Sequence, residues 1–273
     1  MIPFANNDGV KIYYEVEGTG PDLLMGHGFS STAEDWHELG YVEQLHHDYR
    51  LILVDSRGHG RSDKPQDSDS YSIQLRVNDS LAVLDDLGVS KAHYWGFSMA
   101  GQIGYCSALY AAQRFSSVVI GGMSPYSDHR DIGDRTPPTH KPLQGLPEVD
   151  DPIRKALEGG GRAWLHFWES NMSVPEGMLA RLPDNDFQAL IAQWGVRYEW
   201  RDEIEYLLDR FPFPCLLYAG DAESAYAGMK ACAQEMPNAE FVALPGLHHI
   251  DIWAKSERIV PHVQQFLEAI ENR

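Results

Sequence analysis

What most limits the fold of this chain is a repeated alternation in which a short β-rich apolar run is followed by a longer amphipathic stretch and then another apolar run. Runs that are apolar on both faces suit strands buried in a parallel sheet, and the stretches between them have the length that helical crossovers need. Such runs occupy 22–25, 50–54, 93–95, 117–120, 215–218 and 241–244, while Val10 to Val16 alternates like a strand of an edge hairpin. Helical spacing fills 33–47, 72–87, 99–114, 225–235 and 256–271. The pattern predicts an α/β fold built on one mostly parallel sheet. It lapses between Pro125 and Pro214, where a loop-like HRDIGDRTPPTHKP stretch precedes the aromatic-rich helical segments AWLHFW and LIAQWGVRYEW. Because strand-like segments resume afterwards, residues 125–212 read as a helical insertion into a core domain made of 1–124 and 213–273.

Charge narrows the partners. With 22 Lys+Arg against 40 Asp+Glu, the formal charge of −18 repels phosphate backbones and anionic lipid surfaces, so neither nucleic acid nor a membrane is the expected partner. Cys106, Cys215 and Cys232 are odd in number and outside any CxxC pattern, which supports neither a disulfide framework nor a thiolate metal site. The N-terminal stretch lacks a basic patch followed by an apolar one, and no apolar run approaches the roughly 18 residues that span a bilayer. A cytoplasmic protein with a small-molecule substrate is the expectation.

Three motifs carry chemistry. In AHYWGFSMAG a strand ends near Gly96, Ser98 follows two residues later, and a helix begins at Met99. A sharp strand-to-helix turn forces such a serine into an unfavourable backbone conformation and demands small neighbours, which Gly96 and Ala100 supply in a G-x-S-x-A pattern. Taken alone, Ser98 suits either a nucleophile or an ordinary helix N-cap. In LLMGHGFS, His27 and Gly28 follow a strand, so the Phe29 N–H can point back at the serine, and the Met99 N–H stands at a helix start. The two amides form a candidate oxyanion hole. In VDSRGHGRSDKP, Asp55, Arg57, His59 and Arg61 sit in a turn-rich loop and read as braces for neighbouring loops.

The ordered set of H-G-F, D-S-R-G-H-G-R-S-D-K-P and G-F-S-M-A-G, followed by a late acid and histidine, resembles the α/β-hydrolase superfamily in its capped serine-hydrolase branch. The resemblance spans nearly the whole chain outside the cap. It implies a mostly parallel eight-stranded sheet flanked by helices, a cap after the sixth strand, and the chain order nucleophile, acid, histidine. Ser98 matches the nucleophile. The family's P-G-x-G-H, laid over Pro245 to His249, puts the catalytic histidine at His249 rather than His248. The family's G-x-x-D puts the acid at Glu223, with Asp221 as competitor and Asp128, after the sixth strand, as the fallback.

Those residues imply an acyl-enzyme mechanism that needs no metal and no organic cofactor. Phe29, Met99 and one or two of Trp164, Phe167, Trp168, Trp194, Tyr198 and Trp200 are expected to line the pocket, the remainder forming cap core. The expected substrate is a neutral, largely apolar carboxylic ester or lactone. An aspartate nucleophile would have implied dehalogenase or epoxide-hydrolase chemistry, and Ser98 argues against both. A C–C bond hydrolase or a cofactor-free perhydrolase would use the same triad, and a hydrolase-fold receptor with little turnover is the reading from another class.

Overall fold

The computed structural model describes residues 3–126 and 151–272; Asp128 and the HRDIGDRTPPTHKP stretch lie outside the described residues. Strands β1 (Phe4–Asn7) and β2 (Val10–Glu17) form the expected hairpin, closed at Asp8 and Gly9 with φ of 50° and 91°. That pair of positive angles gives the turn the twist antiparallel strands require. There follow β3 (Asp22–Gly26), α1 (Glu34–Glu38), α2 (Tyr41–Leu45), β4 (Arg50–Val54), α3 (Ile73–Asp86), β5 (Ala92–Phe97), α4 (Met99–Tyr110) and β6 (Phe115–Gly121). The helices α5 (Pro152–Glu158), α6 (Gly160–Asn171), α7 (Glu176–Arg181), α8 (Phe187–Gly195) and α9 (Arg201–Glu205) lie between β6 and β7 (Cys215–Gly220). The chain closes with α10 (Ala225–Glu235), β8 (Ala239–Leu244), α11 (His249–Ala254) and α12 (Ser256–Glu271).

The single sheet runs β1-β2-β4-β3-β5-β6-β7-β8, parallel from β4 onward. This is the α/β-hydrolase fold. Chain order reverses around β3, so the loops leaving β3 and β5 diverge and open a crevice at the carboxyl ends of the strands. Register fixes where that crevice lies: Gly26 sits opposite Gly96, Phe97 opposite Gly121, and Gly220 opposite Leu244. The loops holding Phe29, Ser98, Gly122, Glu223 and His249 therefore leave the sheet along one edge.

Alternate residues of the buried strands feed two cores. Leu24, Ile52, Tyr94, Val118 and Leu217 pack on the face covered by α3, α4 and α10. Leu23, Leu51, Trp95, Val119 and Leu216 face Trp36, Trp253 and Phe266 on the other. A third cluster of Leu157, Trp164, Trp168, Leu182 and Leu190 belongs to the inserted helices and touches Ile250 of α11. The last part of the insertion differs: Trp200, Ile204, Leu208 and Phe211 pack into the main core, with Trp200 stacked on Tyr105 at 5.9 Å. Arg181 on α7 reaches back to Glu38 at 2.5 Å and also bonds Asp35, pinning the insertion to α1.

Two helical expectations need correction. The stretch 33–47 is two short helices, because Gly40 adopts φ 78° and breaks the ladder between them. The stretch 99–114 ends its α-helix at Tyr110 and continues as a 3₁₀ turn over Ala112–Arg114. Among the described residues no helix is long and apolar enough to cross a membrane.

Candidate active site

Ser98 stands between β5 and α4 with φ 50° and ψ −115°, a conformation that an L-residue adopts only when its surroundings force it. The forcing contacts are local. Ser98 N–H donates to the Gly121 carbonyl at 2.7 Å and Gly101 N–H donates to the Ser98 carbonyl at 2.8 Å, so the turn is clamped on both sides. Its side chain makes no cap hydrogen bond. A Cβ on Gly96 would lie 2.4 Å from the Ala100 carbonyl oxygen, and one on Gly26 would lie 2.7 Å from the Ala100 methyl. Ala100 thus fits because the strand beside it is glycine.

His249 is the first residue of α11, and its ring joins Ser98 to Glu223. Nε2 lies 2.9 Å from Ser98 Oγ and Nδ1 lies 2.7 Å from Glu223 Oε2. A carboxylate can only accept, so Nδ1 carries the proton and Nε2 is left to accept from the serine hydroxyl. The Glu223 side chain is 3% exposed and its other oxygen accepts the Gly220 N–H at 3.0 Å, which fixes the carboxylate at the strand exit. Phe97 lies under the imidazole at 5.0 Å. Asp221 points elsewhere: its Oδ1 accepts the Gly246 N–H at 2.7 Å and holds the turn before the histidines. His248 is the N-cap of α11 in a reciprocal capping box with Asp251.

Neither the Phe29 nor the Met99 N–H donates to an acceptor among the described residues. A Cβ on Gly28 would sit 3.6 Å from Ser98 Cβ, so the Phe29 loop runs against the serine. That loop is braced by the motif after β4. His59 Nε2 accepts the Ser30 N–H at 3.0 Å, His27 Nε2 accepts the Ser56 N–H at 3.0 Å, and Asp55 accepts the amides of Ala33 and Arg61, both at 2.7 Å. Arg57 grips Asp79 through two bonds of 2.6 Å, and Arg61 bonds Tyr13 and Glu15. Burial holds both His27 and His59 below the usual histidine range, so they are neutral acceptors at these positions.

Above Ser98 lies a cavity of about 620 Å³. Of the cap aromatics, Trp194 and Tyr198 line it; Trp164 and Trp168 are insertion core, Phe167 packs against that core, and Trp200 belongs to the main core. Two features escaped the sequence reading. Gly122, with φ 62°, leaves room for the imidazole, since a Cβ there would lie 2.8 Å from His249 Cε1. The cavity wall is also more polar than expected, with Arg76, Gln102, Gln193, Arg197 and Arg201 among its residues. They are spread over α3, α4 and the α8–α9 segment, where their spacing looks like ordinary surface patterning, so only the folded arrangement brings them together.

A B. subtilis (strain 168) protein provisionally named 2-succinyl-6-hydroxy-2,4-cyclohexadiene-1-carboxylate synthase is 28% identical over 168 residues, 60% of this chain. The matched region spans 56% of that relative, little more than half of its length. The enol-lactonase from Burkholderia xenovorans LB400 superposes with a TM-score of 0.78 at 22% identity, covering 97% of this chain and 100% of that one. Est816, described as an N-acyl homoserine lactone degrading enzyme, superposes with a TM-score of 0.74 at 25% identity over the same shares. Residues 21–256 match the family model of the alpha/beta hydrolase fold, from the start of β3 to the first residue of α12. On that span the chain belongs to the α/β-hydrolase fold family.

Proposed function

We propose that this protein is a serine hydrolase that cleaves a carboxylic ester or lactone of a small molecule through an acyl-enzyme on Ser98. The observation that carries this reading is the line Ser98 Oγ to His249 Nε2 at 2.9 Å and His249 Nδ1 to Glu223 Oε2 at 2.7 Å, opening into a cavity beside two unengaged amides. In the first half-reaction Ser98 Oγ bonds to the substrate carbonyl carbon while its proton passes to His249 Nε2. Glu223 stabilises the imidazolium and keeps the ring oriented. The carbonyl electrons collect on oxygen, where the Phe29 and Met99 N–H groups receive them; loss of one such donor typically costs about 10²- to 10³-fold in rate. Collapse breaks the C–O bond, and the leaving oxygen takes the proton from His249. Water then attacks the acyl-serine by the same sequence, returning the proton to Ser98.

A cavity of about 620 Å³ is ample for one small substrate. The test is turnover of a panel of 4-nitrophenyl esters and lactones by the protein and by Ser98→Ala, with a fluorophosphonate as active-site label. We expect a drop of at least about 10³-fold in kcat for the variant and labelling confined to the peptide holding Ser98. Activity of Ser98→Ala within tenfold of the parent, or a label on another peptide, would remove the nucleophile assignment.

A further inference from the structure

The cavity above Ser98 concentrates positive charge in a chain whose net charge is −18. Three arginines and no lysine contribute to its wall, from α3 and from the α8–α9 segment. Its two carboxylates come from the loop after β7 and from the first turn of α11 and are both engaged: Glu223 by His249 and Gly220, Asp251 by the His248 N–H at 3.1 Å.

Arg76 is the unusual member. It is 4% exposed, and its guanidinium meets only neutral acceptors, Gln102 Oε1 at 2.7 Å and the Met99 carbonyl at 3.1 Å. Its Nε is buried without a partner, and the carboxylate one helical turn away, Asp79, is taken up by Arg57. Among the described residues Arg76 forms no ion pair. Removing a guanidinium from water is costly, and neutral acceptors offset the cost only in part. Burial draws its pKa down to about 10, which still leaves it charged near neutrality. Gln102 relays from Arg76 to the backbone of Arg197, donating to that carbonyl at 3.4 Å. Arg197 itself lies over the rings of Trp194 and Tyr198 at 4.1 and 4.4 Å, with one terminal nitrogen donating to the Trp194 carbonyl at 2.6 Å, the other paired with Asp151 at 3.0 Å, and a buried Nε without a partner. Two guanidiniums are therefore fixed in the wall with donors to spare.

We propose that the substrate of this site is an anion, an ester or lactone whose own carboxylate, separate from the scissile carbonyl, is held by the wall formed by Arg76 and Arg197. The inference rests on the hydrolase reading of the same site and replaces the expected neutral substrate. Planar guanidinium forks match a carboxylate edge on, and a low-dielectric wall strengthens the attraction. Long-range repulsion from a surface of net charge −18 disfavours anions elsewhere on the molecule, so recognition is confined to this cavity.

The test separates binding from turnover. Two matched pairs differ only by a carboxylate in place of a methyl group: 4-nitrophenyl hydrogen adipate against 4-nitrophenyl hexanoate for the acyl half, and 4-acetoxybenzoate against 4-methylphenyl acetate for the alcohol half. Calorimetric titration of Ser98→Ala should show at least tenfold tighter binding of the anion in one pair. The ratio should fall below threefold when Arg76→Met or Arg197→Met is added, and Arg76→Lys should recover part of it. If Arg76→Met does not fold, judged by thermal unfolding, Arg197→Met carries the comparison. Equal or tighter binding of the neutral member in both pairs, or a preference that survives in every folded Met variant, overturns the proposal. An anion preference without turnover by the parent protein would leave Arg76 and Arg197 as a carboxylate-binding wall and sink the hydrolase reading on which the substrate assignment rests; turnover of all four esters without a preference would keep the hydrolase reading and sink the carboxylate-binding wall.

Discussion

Glu223 and Asp221 leave the same strand two residues apart, yet only Glu223 meets His249. The extra methylene lets Glu223 curl back so that one oxygen caps the Gly220 N–H and the other faces Nδ1, while Asp221 turns outward to the Gly246 N–H. Glu223→Gln keeps the shape but removes the charge opposite the imidazolium, and kcat should fall by about 10²- to 10⁴-fold, the upper figure being that of an amide swap in a well-studied triad. Asp221→Asn should change kcat less than about threefold and cost no more than about 1 kcal/mol, the scale of one exposed hydrogen bond. Steady-state kinetics and chemical denaturation read both; the opposite ranking would move the acid to Asp221. For the histidines, His249→Ala should abolish turnover. His248→Ala removes an N-cap and should lower stability by about 0.5 to 2 kcal/mol while turnover persists.

At the scale of elements, the site depends on places where one segment makes room for another. Gly122 follows β6 with φ 62°, and an added methyl would strike the His249 ring at 2.8 Å. Gly122→Ala therefore carries both backbone strain and a displaced imidazole, and should lower kcat at least tenfold and destabilise the protein by about 1 to 3 kcal/mol. An unchanged kcat would show that the ring has another position from which it serves Ser98. The strand-turn-helix element around Ser98 was legible because its geometry demands small residues at defined offsets, and Gly96 and Ala100 sit at those offsets. The short helix α11 was not, because six residues are too few for periodicity to register and its cap uses His248 with Asp251 rather than the common Ser/Thr with Glu. Nor was the break at Gly40, since a glycine within an amphipathic stretch is compatible with a continuous helix until tertiary packing turns the chain.

For the whole molecule, three buried histidines couple the fold to pH. Burial holds His27, His59 and His93 below the ordinary 6.5, and for His93 this outweighs the attraction of Glu271 at 2.8 Å. A group whose folded pKa is depressed binds fewer protons in the native state than in the unfolded chain. Stability is therefore complete above about pH 6.5 and declines as pH falls below it, by up to about 1.4 kcal/mol per pH unit for each histidine until its folded pKa is reached. Thermal unfolding between pH 5 and 8 should show a plateau above neutrality and a falling midpoint below it; a midpoint constant to pH 5 would contradict this. By itself the sequence determined the alternation of buried strands and covering helices, the elbow at Ser98, the bracing loop after β4 and the register that points to His249. Each of these is written in local spacing, in the hydrophobic period or in the small residues that a tight turn requires. Only the tertiary structure brought Glu223 rather than Asp221 to the His249 ring, made Gly122 a neighbour of the imidazole, and set Arg76 and Arg197 in one wall. Those outcomes depend on where strand ends and helices far apart in the chain meet, and distance in space across the sheet edge leaves no periodic trace along the sequence.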